Sequence, residues 1–118
     1  AYPNRSWFDY GIVAVGSSDV PVVSCDPFMG LRSAVTRLTR DGQHMGLGQG
    51  VTIMEALQLF TRNGAYATFE EDRKGTIAPG MLADLALLSD DPRAVDPERL
   101  HELRCDLTVL NGEIVHEA

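Results

Sequence analysis

Apolar residues recur at helical spacing in two blocks of the first half of the chain. The first block opens with Asp26 and Pro27, a carboxylate that can cap N–H groups and a proline that the first helical turn tolerates. Its apolar positions are Phe28, Leu31, Val35 and Leu38. The second block opens with Thr52 and Glu55 in the spacing of a capping box. The pattern predicts two amphipathic helices joined by a glycine-rich loop.

An uninterrupted apolar run precedes these helices at Gly11 to Gly16. A run rich in β-branched residues and without polar alternation is typical of a strand covered on both faces, as in a parallel sheet. It ends in a polar turn that contains Asp19, and α/β proteins place ligand sites at that end of a strand. A lone strand needs partners on both edges, so we expect strands outside this chain and self-association of the isolated chain.

The last third of the chain has the pattern of short antiparallel strands. A strand is predicted over 83–89 and a short helical piece around Glu98 to Leu103. Asn111 and Gly112 between two β-type runs form the strongest hairpin signal in the chain. The 118 residues are too few for a complete (β/α)₈ barrel, which takes about 250.

Composition narrows the choice of partners. Ten Lys plus Arg against seventeen Asp plus Glu give a net charge of -7, which disfavours nucleic acid and anionic membranes as partners. The sequence has neither a membrane-spanning apolar run nor a signal-peptide pattern, so the predicted location is cytoplasmic. Cys25 and Cys105 lack metal or redox spacing and are predicted to be buried thiols.

Several motifs in a fixed order resemble a known family. They are Gly-Ser-Ser-Asp-Val-Pro at 16–21, Asp-Pro-Phe at 26–28, the helical block Thr52 to Ala67, and Gly-Thr-Ile-x-Pro-Gly-x-x-Ala-Asp-Leu at 75–85. Together they closely resemble the carboxyl-terminal portion of the amidohydrolase superfamily, specifically its amidohydrolase-3 (exoenzyme-regulatory-like) branch. The resemblance covers nearly the whole chain. One departure is an additional serine before Asp19.

The resemblance implies a fold that this chain only partly contains. Such enzymes have a (β/α)₈ barrel and a flanking composite β-sandwich. Residues 11–16 would be the eighth barrel strand, and the two predicted helices would be its helical layer. The expected fold class is therefore an α/β fragment, with the last strand and helices of the barrel over residues 1–74 and strands of the β-sandwich over 75–118.

The resemblance also implies a reaction. The full-length protein would be a metal-dependent amidohydrolase that hydrolyses the C–N bond of a small amide, formamide or cyclic amide. Asp19 would act as the general base and as a possible metal ligand, next to a divalent ion, with zinc expected. The remaining ligands would lie upstream of Ala1, so we expect no metal and no hydrolysis in this fragment alone.

Each candidate residue also has a structural, non-catalytic interpretation. Asp19 could cap the turn before Pro21, and the chain could be a free-standing, non-enzymatic α/β interaction module. Asp84 is interpreted as a carboxylate that bonds the backbone rather than a catalytic one. An aromatic cluster near the start is interpreted as core; it comprises Trp7, Phe8 and Tyr10. Three histidines lack ligand spacing and are expected at the surface; they are His44, His101 and His116.

Overall fold

The computed structural model describes residues 2–118. Four α-helices come first: α1 (Asn4–Asp9), α2 (Pro27–Thr36), α3 (Ile53–Phe60) and α4 (Arg62–Ala67). Three strands follow: β1 (Leu85–Leu88), β2 (Cys105–Leu110) and β3 (Glu113–Glu117). A first 3₁₀ helix, Leu47–Gln49, lies between α2 and α3, and a second, Pro97–Glu102, lies between β1 and β2. The result is a small α/β fold with a three-stranded antiparallel sheet.

Both predicted helix starts are confirmed. The Asp26 carboxylate accepts a hydrogen bond from the Phe28 N–H at 2.9 Å, and Pro27 occupies the first turn of α2. At α3 the capping box between Thr52 and Glu55 is complete in both directions. The N-cap side chains of Asp26 and Thr52 therefore fix where α2 and α3 begin.

The helix ends differ from the prediction. The sequence predicts that α2 ends near Gly42, but it ends at Thr36 because Arg37 adopts a left-handed conformation with φ 59°. The second predicted helix is broken at Thr61, whose φ of -130° and ψ of -93° lie outside the helical region, so α4 is a separate short helix. Neither break carries a local glycine or proline signal at the residue concerned.

The prediction of a strand at Gly11 to Gly16 is wrong for the chain as described. Residues 12–18 have no regular secondary structure. Two bonds to the helices hold the segment instead: the Gly16 N–H donates to the Leu59 carbonyl at 2.8 Å, and the Asn63 side-chain amide donates to the Ala14 carbonyl at 2.7 Å. A strand requires a neighbouring strand, and β1 to β3 pair only among themselves.

The predicted hairpin is confirmed. β1 pairs with β2, and β2 with β3, both antiparallel. Asn111 and Gly112 both have positive φ, 49° and 83°, as a two-residue hairpin turn requires. The Asp84 carboxylate accepts the Asn111 N–H at 2.8 Å, which confirms its interpretation as a backbone-bonding group.

The core lies between α2, α3 and the second 3₁₀ helix, where the sequence predicted a short helical piece. Leu100 of that 3₁₀ helix is fully buried. It packs in one cluster with residues of α2, of α3 and of the segments next to α3 and the 3₁₀ helix: Phe28, Leu31, Ala34, Val51, Ala56, Leu59 and Leu103. The first and last parts of the chain therefore share hydrophobic contacts.

Some smaller features differ from expectation. Cys25 is exposed in the irregular loop before α2, so the prediction of a buried thiol is wrong there, while Cys105 is half-buried in β2. Phe8 packs against the core as predicted, but Tyr10 is 81% exposed because it follows the last residue of α1.

Every helix in residues 2–118 is too short or too polar to cross a lipid bilayer.

Gly64 of α4 offers a stability test. The sequence suggests a close neighbour there, but a Cβ at Gly64 would meet no atom of the described chain within 4 Å. We expect Gly64→Ala to raise the free energy of unfolding by about 1 kcal/mol, because alanine loses less backbone entropy in a helix. Urea denaturation measures it. Gly80→Ala is the control and should destabilise, since Gly80 has φ 89°. Equal effects of both variants would contradict the account.

Candidate functional site

Asp19 lies in an exposed turn between the irregular segment and α2. Its φ of 52° is left-handed, a conformation in which Asp is enriched among non-glycine residues. Two local hydrogen bonds close the turn: the Asp19 N–H donates to the Ser17 hydroxyl at 3.1 Å, and the Val22 N–H donates to the Asp19 carbonyl at 2.9 Å. The Asp19 carboxylate accepts no hydrogen bond from residues 2–118. Its oxygens therefore point at no partner within the described chain.

The residues around this carboxylate are apolar and exposed. Val20, Val22 and Val23 are 60%, 75% and 58% exposed. Residues 17–25 thus present a single acid, Asp19, next to three exposed valines. A serine-hydrolase mechanism is not supported. The Ser17 hydroxyl accepts a hydrogen bond from the Asp19 N–H, and no histidine lies near Ser17 in the sequence.

The described chain holds no complete metal site. Its histidines are exposed and separate, as expected, and the His44 Nδ1 lies 3.1 Å from the Thr36 carbonyl oxygen. Residues 2–118 contain no group of three or more His, Cys, Asp or Glu side chains that could hold a metal ion. Asp19 is an oxygen donor of a suitable type, but it is one donor and cannot bind an ion by itself.

An ion pair missed by the sequence analysis fixes α1 against α3. The Arg5 guanidinium donates to both Glu55 carboxylate oxygens, at 2.7 and 2.9 Å, and to Asp9 at 2.9 Å. The same Glu55 accepts the Thr52 N–H at 2.9 Å. The Arg5 hydrogen bonds lower the pKa of Glu55 below its usual value, and the Thr52 bonds act in the same direction. The capping box signalled Glu55, but nothing local signalled a partner fifty positions away.

This pair predicts acid sensitivity. A carboxyl group whose pKa is lowered in the folded state contributes full stability above its unfolded pKa, about 4.3 for Glu, and loses it as the pH falls through the folded value. Glu55→Gln should therefore cost about 1 kcal/mol at neutral pH, discounted for the partial exposure of both groups. The difference should shrink as the pH falls below about 4. Thermal melts across pH measure it.

The control for this variant is Glu71→Gln, which removes an exposed carboxylate that accepts no hydrogen bond within residues 2–118. It should leave both Tm and its pH dependence unchanged. Parallel curves for wild type and Glu55→Gln down to low pH would show that the Arg5 pair does not stabilise the fold.

Taken together, the helices and the antiparallel sheet define a small α/β fold with an exposed acid in the loop before α2. Part of the solved structure of an amidohydrolase from Thermotoga maritima MSB8 has a similar fold, with a TM-score of 0.71 and 21% identity over 94% of this chain and 24% of that chain. The sequence model of the amidohydrolase family matches residues 1–116. The chain belongs to the amidohydrolase family.

Two curated relatives agree with this assignment. The putative amidohydrolase YtcJ of Bacillus subtilis (strain 168) is 37% identical over 120 residues, covering 99% of this chain and 23% of that protein. The N-substituted formamide deformylase of Arthrobacter pascens is 32% identical over 116 residues, covering 98% of this chain and 21% of that protein. The chain thus spans less than a quarter of the length of either relative.

Proposed function

We propose that this chain is the carboxyl-terminal part of a metal-dependent amidohydrolase that hydrolyses an amide-type C–N bond of a small molecule. The observation that carries the proposal is the exposed Asp19 carboxylate, which has no partner within residues 2–118, in a chain that matches the family over almost its whole length. The name of the Arthrobacter pascens relative, N-substituted formamide deformylase, supports a formamide or related amide as substrate.

Asp19 would serve as the general base. Hydrolysis of an amide requires a water molecule to lose a proton as it attacks the carbonyl carbon, and the leaving nitrogen to gain one. A carboxylate can accept the first proton and return it to the nitrogen. The open position of Asp19 on its turn leaves both oxygens accessible for this transfer.

The amidohydrolase family is generally metal-dependent. When bound, a divalent ion, expected to be zinc, would polarise the carbonyl group of the substrate and lower the pKa of a water molecule. The donors in residues 2–118 do not complete such a site. We therefore assign Asp19 as one ligand or neighbour of the ion, with the other ligands on residues outside this chain.

The proposal extends to the organisation of the protein. Residues 1–74 would belong to the end of the barrel and residues 75–118 to the composite β-sandwich, and the protein would be cytoplasmic. The exposed side chains of Ile12, Val13 and Val15, at 53%, 46% and 46%, support this division because the layers packed on the two faces of a parallel barrel sheet would cover them.

Hydrolysis by the full-length gene product tests the function. We expect release of para-nitroaniline from para-nitroformanilide or para-nitroacetanilide when zinc is supplied. No hydrolysis of these or of N-alkyl formamides and cyclic amides, with metal present, would overturn the proposal. It would favour the alternative of a non-enzymatic α/β interaction module, which the same exposed apolar residues also support.

The isolated 118-residue chain should self-associate. Apolar side chains are exposed on the irregular segment and also on the sheet, where Leu87, Ile114 and Val115 are 60%, 62% and 57% exposed. Such surfaces favour contact between copies. Multi-angle light scattering at rising concentration should show dimers or larger species, and Val13→Lys with Val15→Lys should reduce them. A strictly monomeric chain at high concentration would contradict this expectation.

A further inference from the structure

The aromatic ring of Phe60 lies close to two glycines on either side of the loop that carries Asp19: Gly16, just before the loop, and Gly30, in the first turn of α2 after it. A Cβ built on Gly16 would lie 2.7 Å from the Phe60 Cζ atom, and one built on Gly30 would lie 2.5 Å from the same atom. Contacts this short are too close for any real side chain. Neither glycine has a positive φ, so space rather than backbone conformation requires glycine there.

The two glycines bracket the loop. Gly16 immediately precedes residues 17–26, and its N–H donates to the carbonyl of Leu59, the neighbour of Phe60, at 2.8 Å. Gly30 lies in the first turns of α2, whose start is fixed by the Asp26 cap at the far end of the loop. One side chain on α3 therefore lies against the residue that precedes the loop and against the first turn of the helix that follows it.

We propose that Phe60, with Gly16 and Gly30, is a positioning device for the Asp19 carboxylate. The ring fixes the positions of the residues that flank the loop. The hydrogen bonds of the Asp19 turn are all local, so they set its shape, and the flanking residues set where the turn lies. The loop has few other supports, since Val20, Val22 and Val23 are exposed. This inference rests on the proposed role of Asp19 as general base.

The test uses the full-length gene product with para-nitroformanilide or para-nitroacetanilide as the probe. Gly16→Ala and Gly30→Ala should each lower kcat by roughly 10- to 100-fold with a smaller change in KM, because a displacement on the order of 1 Å can cost that much. Gly64→Ala is the matched control and should retain wild-type kcat, since a methyl group there meets open space.

Two double variants separate positioning from packing. Phe60→Leu removes Cζ, the atom that a new methyl group would meet first, so Phe60→Leu with Gly30→Ala should recover much of the kcat lost in Gly30→Ala. In an Asp19→Asn background, Gly30→Ala should lower kcat by less than about threefold, because residues that act through one group are not additive.

Distinct results overturn the inference. The ring does not act through Asp19 if Gly30→Ala lowers kcat by the same factor in the Asp19→Asn background as in the wild type. The same conclusion follows if adding Phe60→Leu to Gly30→Ala restores no kcat in folded protein. If neither glycine variant folds even with Phe60→Leu, as judged by thermal melts, the ring serves packing alone and the inference fails. If Asp19→Asn itself leaves kcat unchanged, the proposed function fails instead, and the two failures are thereby distinguished.

Discussion

Asp19→Asn in the full-length gene product is expected to lower kcat for amide hydrolysis by about 10²- to 10⁴-fold, the usual contribution of a general base. Asparagine keeps the size of the side chain and tolerates the left-handed φ of 52°, so the turn should be retained. It cannot accept a proton from water. The loss should therefore appear in kcat, with the Tm nearly unchanged.

Asp41→Asn is the matched control for this variant. Asp41 is also an exposed aspartate in an irregular loop, it makes no side-chain hydrogen bond within residues 2–118, and its replacement removes the same charge. It should retain full activity. If Asp19→Asn and Asp41→Asn behave alike, Asp19 is a turn residue and the base lies elsewhere.

The second large effect concerns metal. Removal of metal from the full-length gene product by a chelator should abolish hydrolysis, and zinc should restore it, because the proposed reaction depends on a metal-activated water. The isolated 118-residue chain should bind no catalytic metal and hydrolyse nothing, since it lacks a group of three donors within residues 2–118. Elemental analysis of both proteins measures the difference.

Two outcomes would contradict this expectation. A metal content near one ion per isolated chain would mean that the fragment builds its own site, which the arrangement of its histidines and acids does not support. Hydrolysis by the full-length gene product after complete removal of metal would contradict the proposed metal-dependent mechanism. Asp19 would then need a different role.

Local signals predicted the parts of the fold that depend on neighbouring residues. The caps at Asp26 and Thr52 and the turn at Asn111 were identified because each bonds within three residues of itself or requires a particular φ. Asp19 was singled out by its place after an apolar run, and the structure puts it in an exposed turn. Its chemical role came from the family resemblance rather than from its surroundings.

The remaining features depend on contacts between distant positions. The pairing of Arg5 with Glu55 joins residues fifty positions apart, and the contact of Phe60 with Gly16 joins a helix end to a loop start. Neither contact leaves a periodic pattern in the sequence from which it could be predicted. The apolar run at 11–16 has the composition of a strand, but a strand forms only beside a partner. Within residues 2–118 that run has no neighbouring strand, so its composition alone does not make it a strand.

The most direct test is the position of the metal relative to Asp19 in crystals of the full-length gene product, located by anomalous scattering with zinc bound. The account predicts an ion whose distance from an Asp19 carboxylate oxygen is about 2.1 Å if the two are bonded, or about 4 Å if a water lies between them. An ion bound far from the Asp19 turn, with that carboxylate facing solvent, would contradict it.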